Sequence, residues 1–122
     1  ESKFAWAELL RQQDRRADAV KLYRELAADV RSKEGSAAAY YVLEDTFEKG
    51  DMDKTEKAIF AYSEREPQAY WLAKAFILLG DVYVRKGDNF QARATYQSVA
   101  DGYSPADDGI VDEAKERIAK LN

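Results

Sequence analysis

Glu44 and Glu48 stand four residues apart, a spacing that puts two carboxylates on one helical face. Asp107, Asp108 and Asp112 form a second acidic group. Paired acids can hydrolyse a glycosidic bond or hold a cation when a buried pocket and a third group complete the site. No completing group is legible here. The chain has no histidine and no cysteine, which removes the commonest general base, the commonest metal ligand, thiol nucleophiles and disulfides. No glycine-rich phosphate loop or Ser–His arrangement occurs. Asp107-Asp108-Gly109 reads instead as a helix start, where acids favour the positive end of the dipole. The residue types point away from an enzyme, and no metal or cofactor is expected.

What remains is recognition chemistry, and composition narrows the partner. The net charge of −4 over 122 residues argues against nucleic acid, because phosphate binding needs a basic surface. Hydrophobic residues at 46% and charged residues at 34% exclude a disordered chain and fit a single helical domain spanning 1–122. No apolar run approaches the roughly 20 residues needed to span a bilayer, so direct membrane insertion is not expected. Glu1 at the first position suggests a piece of a longer protein.

The elements that must position any such site are helices. Ala19, Val20, Tyr23, Leu26, Ala27 and Val30 recur at three and four, as do Trp71, Ala75, Phe76, Leu79, Val82 and Tyr83. No segment alternates at period two over a useful length. Turn chemistry breaks the chain at Gln13-Asp14, Lys33-Glu34-Gly35, Lys49-Gly50-Asp51, Glu66-Pro67, Lys86-Gly87-Asp88 and 102–108. The expected helices are 2–13, 15–32, 36–49, 52–65, 68–86, 89–102 and 108–121. Gly50 and Gly87 suit left-handed helix ends, and Asp88 with Gln91 resembles a capping box.

These helices repeat in pairs. Phe76, Leu79, Gly80, Tyr83, Gly87, Ala92 and Tyr96 form the clearest copy. Ala39, Val42, Leu43, Thr46, Gly50, Thr55, Ile59 and Pro67 form the middle one. Lys3, Trp6, Ala7, Leu10, Asp14, Ala19 and Tyr23 form the first. The columns align without gaps at spacings of 36 and 37 residues, which implies stacked helical hairpins. Ala7, Leu43 and Gly80 share a column where two helices can cross closely only if one side chain is small. Leu43 predicts a more open middle hairpin. Tyr83 and Tyr96 are expected between neighbouring helices. Ile110, Val111, Ala114, Ile118 and Leu121 form one stripe on the last helix, as a terminal cap requires.

Phe76-x2-Leu79-Gly80-x2-Tyr83 followed by Ala92-x3-Tyr96 resembles the tetratricopeptide repeat. Pro67 falls at the expected proline of the middle copy and Pro105 one residue late in the third. The resemblance implies an all-α superhelical array of three hairpins, about 1–35, 36–69 and 70–106, closed by a capping helix at 107–122. The long periods and the run from Tyr70 to Tyr83 look like the C-terminal part of large bacterial proteins of this family. Many such relatives work in the cell envelope, so the resemblance leans toward a periplasmic or outer-membrane-associated setting over the cytoplasm.

In that family the first helix of each pair lines a concave groove. By register the resemblance assigns to it Phe4, Glu8, Arg11 and Gln12 from the first pair. The second pair supplies Ala37, Tyr40, Glu44, Phe47 and Glu48, and the third Lys74, Ile77, Asp81, Val84 and Arg85. Tyr40, Phe47, Ile77 and Val84 would form an apolar strip edged by charge, unless they pack against a neighbouring repeat or the cap. The expected function is a non-catalytic scaffold for a peptide or partner protein. The alternative is a structural segment of a longer array, with a homodimer contact through 2–13 or the capping helix. Residues 36–67 carry eight acids against four bases, so a basic partner is favoured unless this is an ordinary solvated face.

Overall fold

The computed structural model describes residues 2–105 and 107–121, and among them every regular element is a helix. Glu1, Ala106 and Asn122, which fall at edges of the repeats and cap expected above, lie outside the described residues. In chain order the helices are α1 (Lys3–Gln12), α2 (Arg16–Leu26), α3 (Lys33–Glu48), α4 (Met52–Ser63), α5 (Ala69–Arg85), α6 (Asn89–Gly102) and α7 (Ile110–Ala119). None is long and apolar enough to cross a membrane.

Local chemistry sets the starts. The side chains of Ser2, Ser32, Asp51 and Asp88 accept from the backbone N–H three residues on, satisfying one free donor at each helix start. Gln91 returns its amide to the Asp88 carboxylate at 3.1 Å, a variant of the expected capping box. Asp14, Gly50 and Gly87, one column in sequence, all take positive φ (63°, 91° and 82°) where α1, α3 and α5 end. Glycine adopts that conformation freely and Asp14 does so at a cost. Arg15 N–H donates to the Leu10 carbonyl and Asp88 N–H to that of Tyr83, both at 2.9 Å, at positions two repeats apart.

One junction differs from expectation. The α2 helix stops at Leu26 rather than 32, and α3 begins at Lys33 rather than 36. Gly35 does not break the chain, although its turn-rich surroundings predict that it would. It sits inside the first turn of α3, where a Cβ would fall 1.6 Å from the Asp29 carbonyl oxygen. The glycine is there for close approach, not for chain reversal. Next to it, fully buried Ser36 donates its hydroxyl to the Val30 carbonyl and accepts from Gln68 N–H at 2.9 Å. Tyr62 donates to the Ser36 carbonyl at 2.7 Å. One residue thus ties the α2–α3 connection, α4 and the start of α5 together. The last helix is also shorter than expected, at 110–119 rather than 108–121, with Asp108 accepting from Ile110 N–H at 3.2 Å.

Helices pack against their chain neighbours throughout. In addition α3 lies against α5, and α5 against α7. The crossings within pairs follow size complementarity. A Cβ on Gly80 would lie 2.2 Å from the Tyr96 ring, so this helix pair closes only around a glycine. Ala7 and Tyr23 occupy the same columns in α1 and α2, both essentially inaccessible. In the middle pair the columns hold Leu43 and Ile59, two medium residues. Of the three helix pairs, α3 and α4 make the fewest close backbone approaches, and a cleft of about 330 Å³ opens beside Leu43 and Tyr62, consistent with the open middle pair that Leu43 implies. Ile110 and Ala114 of α7 enter the main core, with Ile118 and Leu121 packed against it.

Two substitutions test this packing. Gly80→Ala forces the Tyr96 ring to move and should destabilise by about 2 kcal/mol despite alanine's better helix propensity. An unchanged or raised melting temperature would contradict the crossing. Tyr83 is 7% exposed and donates to Glu56 at 2.9 Å. Tyr83→Ala should cost on the order of 3 kcal/mol by denaturant unfolding.

Candidate functional site

The residues that sequence register assigns to one face come from α1, α3 and α5, and the structure joins most of them. Arg11 pairs with Glu8, donates to the Tyr23 hydroxyl at 3.1 Å, and lies 4.4 Å from the ring centre of Tyr41. Lys74 approaches the Tyr40 ring at 5.8 Å and Glu113 at 3.3 Å. Arg85 sits 4.5 Å over Phe47. Asp81 accepts from the Tyr96 hydroxyl and from Arg117 at 3.0 Å. Each of these cations faces an aromatic ring, an acid or both, arrangements favourable over a π face and in a partly dry setting. Gln12 and Glu48 are exposed and joined to none of the others.

The apolar strip expected from Tyr40, Phe47 and Ile77 is closed. All three are buried, together with Ala37, because α3 and α5 pack side by side and use these side chains as their seam. Only Val84 is open, at 40% exposure. Surface access survives at the two ends of the face. Phe4 and Ala37 line a cleft of about 240 Å³ with Lys33, Glu34 and Trp71. Phe47, Asp81, Val84 and Arg85 line another of about 280 Å³, to which α6 contributes Tyr96, α7 Arg117, and the residues after α7 Lys120 and Leu121.

Sequence register missed the aromatic chain that supports this face. Tyr23, Tyr41, Tyr40 and Trp71 follow one another at ring separations of 5.0, 5.7 and 5.6 Å, with Phe4 and Tyr70 at the ends. Such tilted and edge-on contacts are favourable geometries for aromatic pairs. Tyr41 stands one residue beyond Tyr40, which register selects, and Trp71 stands three residues before Lys74, the first position it selects on α5. Burial pushes the Tyr41 phenol up to about 12 and raises that of Tyr40 further, so both remain neutral across the physiological range.

Among the described residues the arrangement leaves one half-buried carboxylate of this face unmatched. Glu8, Glu44 and Asp81 occupy the same column of the three pairs. Near Glu8 stands Tyr23, whose hydroxyl holds the Arg11 that pairs with Glu8. Near Asp81 stands Tyr96, donating to it directly. The equivalent of these tyrosines in the middle pair is Ile59, which has no hydroxyl. Glu44 is half-buried and, among the described residues, has neither a hydrogen bond nor an ion pair. Desolvation raises its pKa above the ordinary value, opposed only by the more distant charges of Arg11, Arg16 and Lys74. Of the seven other acids of 36–67, four are committed, Asp45 to Arg16 and Lys49, Asp53 and Glu56 to Lys86, and Asp51 to the α4 start, while Glu48, Glu64 and Glu66 are exposed to water.

With this geometry established, comparison with known proteins adds no relative: no family model, curated protein or solved structure matches the chain.

The pKa shift has a stability consequence with a definite sign. A carboxylate whose folded pKa is raised opposes folding when charged, and that opposition disappears as pH falls through the raised value. Glu44→Gln should therefore raise the melting temperature at pH 7, with the gain shrinking toward zero as the parent chain is acidified below pH 4. A variant less stable than the parent at neutral pH would mean that Glu44 has a partner after all.

Proposed function

We propose that this chain is a protein-interaction module, a superhelical array of three tetratricopeptide-like hairpins with α7 as cap, whose concave face takes a basic segment of a partner protein. The observation that carries this reading is Glu44. A half-buried, unpartnered carboxylate works against stability, and such a cost is characteristic of functional positions. A lysine, arginine or terminal ammonium from a partner would supply the missing counter-charge in a partly dry setting, beside Tyr40 and Tyr41. Glu48, one helical turn on, adds exposed negative charge that would favour approach of the same partner. The two end clefts would hold flanking apolar side chains of the bound segment. The mechanism is presentation of a preformed face, with no bond made or broken.

The periodic columns, the pairwise packing of helices and the side-by-side α3, α5 and α7 support the repeat reading. A second reading has its own observation. Trp6 and Leu9 on α1 are 53% and 42% exposed, as they would be if a further hairpin of a longer array or a second copy stacked there. Under that reading the chain is a structural segment, and it should dimerise with rising concentration in sedimentation equilibrium.

Selection of random 12-residue peptides against the immobilised chain tests the interaction reading. Selected sequences should carry a lysine or arginine next to apolar residues. Glu44→Gln should weaken their binding by about tenfold, the scale of one lost charge-assisted contact. The double substitution Leu43→Ala/Ile59→Tyr, which gives the middle pair the pattern of the first, should weaken it similarly by offering Glu44 an internal hydroxyl. Peptides with no basic preference, or equal binding to Glu44→Gln, would overturn the proposal.

A further inference from the structure

Beyond the face that holds Glu44, the structure contains a basic cleft between α2 and α3. It has a volume of about 530 Å³, and its lining includes Arg16, Lys21, Arg24 and Lys49 around a single carboxylate, Asp45. In a chain of net charge −4 this is a local excess of positive charge. Asp45 is 4% exposed and anchors two of the cations, Arg16 at 3.4 Å from one oxygen and Lys49 at 3.1 Å from the other. The second oxygen is held by charge alone and accepts no hydrogen bond among the described residues. Lys21 and Arg24 are exposed and have no hydrogen bond or ion pair among the described residues. Val20 and Ala17 give the cleft an apolar floor.

We propose that this cleft docks an acidic peptide segment lying along α2. The extent of the cationic row favours a peptide over a single small anion. Arg16, Lys21 and Arg24 span nine residues of helix, about 12 Å at helical rise. An extended peptide covers that length in about four residues, so acids at alternate positions meet successive cations. Asp45 holds Arg16 and Lys49 at the inner wall, while Lys21 and Arg24 supply uncommitted charge at the outer wall. Asp45 and Lys49 each follow Glu44 and Glu48 by one residue, a turn of about 100° around α3. The α3 helix therefore separates surfaces of opposite sign, and the two sites select partners of opposite charge.

Fluorescence anisotropy of a labelled hexaglutamate peptide at low salt tests the assignment with the full chain. The double variant Lys21→Ala/Arg24→Ala, which breaks no contact of the fold, should bind about tenfold more weakly with an unchanged melting curve. Lys54→Ala/Lys57→Ala on α4 removes the same charge elsewhere and should bind as the parent does. Equal loss in both variants, or no loss in the first, would show only general attraction and overturn the site. Displacement of the peptide by inorganic pyrophosphate at the same concentration of charge would make it a point-anion site and overturn the peptide assignment. Binding of selected basic peptides should be unaffected by Lys21→Ala/Arg24→Ala, so this proposal and the Glu44 reading fail separately.

Discussion

The size of the residue opposite each crossing helix decides what reaches the face lined by α1, α3 and α5. Where that residue is glycine or alanine, a tyrosine fits in the partner column, and its hydroxyl extends to the polar edge. Tyr96 meets Asp81 in this way, and Tyr23 holds Arg11 beside Glu8. Where the residue is Leu43, the partner column holds Ile59, and no hydroxyl arrives. A steric rule inside the core thus becomes an electrostatic difference at the surface. The packing comes first and the unmatched charge follows from it.

The rest of the face is arranged to contain charge. Lys74, Glu113, Arg117 and Asp81 form a chain of ion pairs that fastens α7 to α5. Arg11 and Arg85 sit over the rings of Tyr41 and Phe47, covering aromatic surface. A face wired in this way is poor in nonspecific stickiness. Under the proposed function its selectivity would lie at Glu44, at the exposed Glu48 and at the small clefts to either side. The α3 helix is the organising element, since it carries Glu44 toward this face and Asp45 toward the basic cleft beside α2.

Much of this was legible before any coordinates, and the exceptions have physical causes. The helix pairs were readable because turn residues recur at fixed spacing, as Asp14, Gly50 and Gly87 do, and because Ala7 and Gly80 keep the first and third crossings small. The α2–α3 junction was misread because Gly35 serves a contact with the Asp29 carbonyl, and sequence does not distinguish a glycine of close approach from one of chain reversal. Ser36 was invisible as a hub because its partners come from three separate segments. The aromatic chain was missed because register selects positions on a helix, while long rings such as those of Tyr41 and Trp71 lean across to neighbouring helices. Tyr40, Phe47 and Ile77 lie at face positions but are consumed by the seam between α3 and α5. The isolation of Glu44 depends on Ile59 and becomes visible only when the three columns are superposed and their partners are known.

Carboxyl-carbon NMR titration of Glu44 in the free chain addresses the central claim most directly. If packing at Leu43 and Ile59 strands this carboxylate in a half-dry, unpartnered position, its resonance titrates above the ordinary glutamate range. A midpoint at or below that range would show that a donor or cation already satisfies Glu44, and the face would then have no unmet charge for a partner to fill.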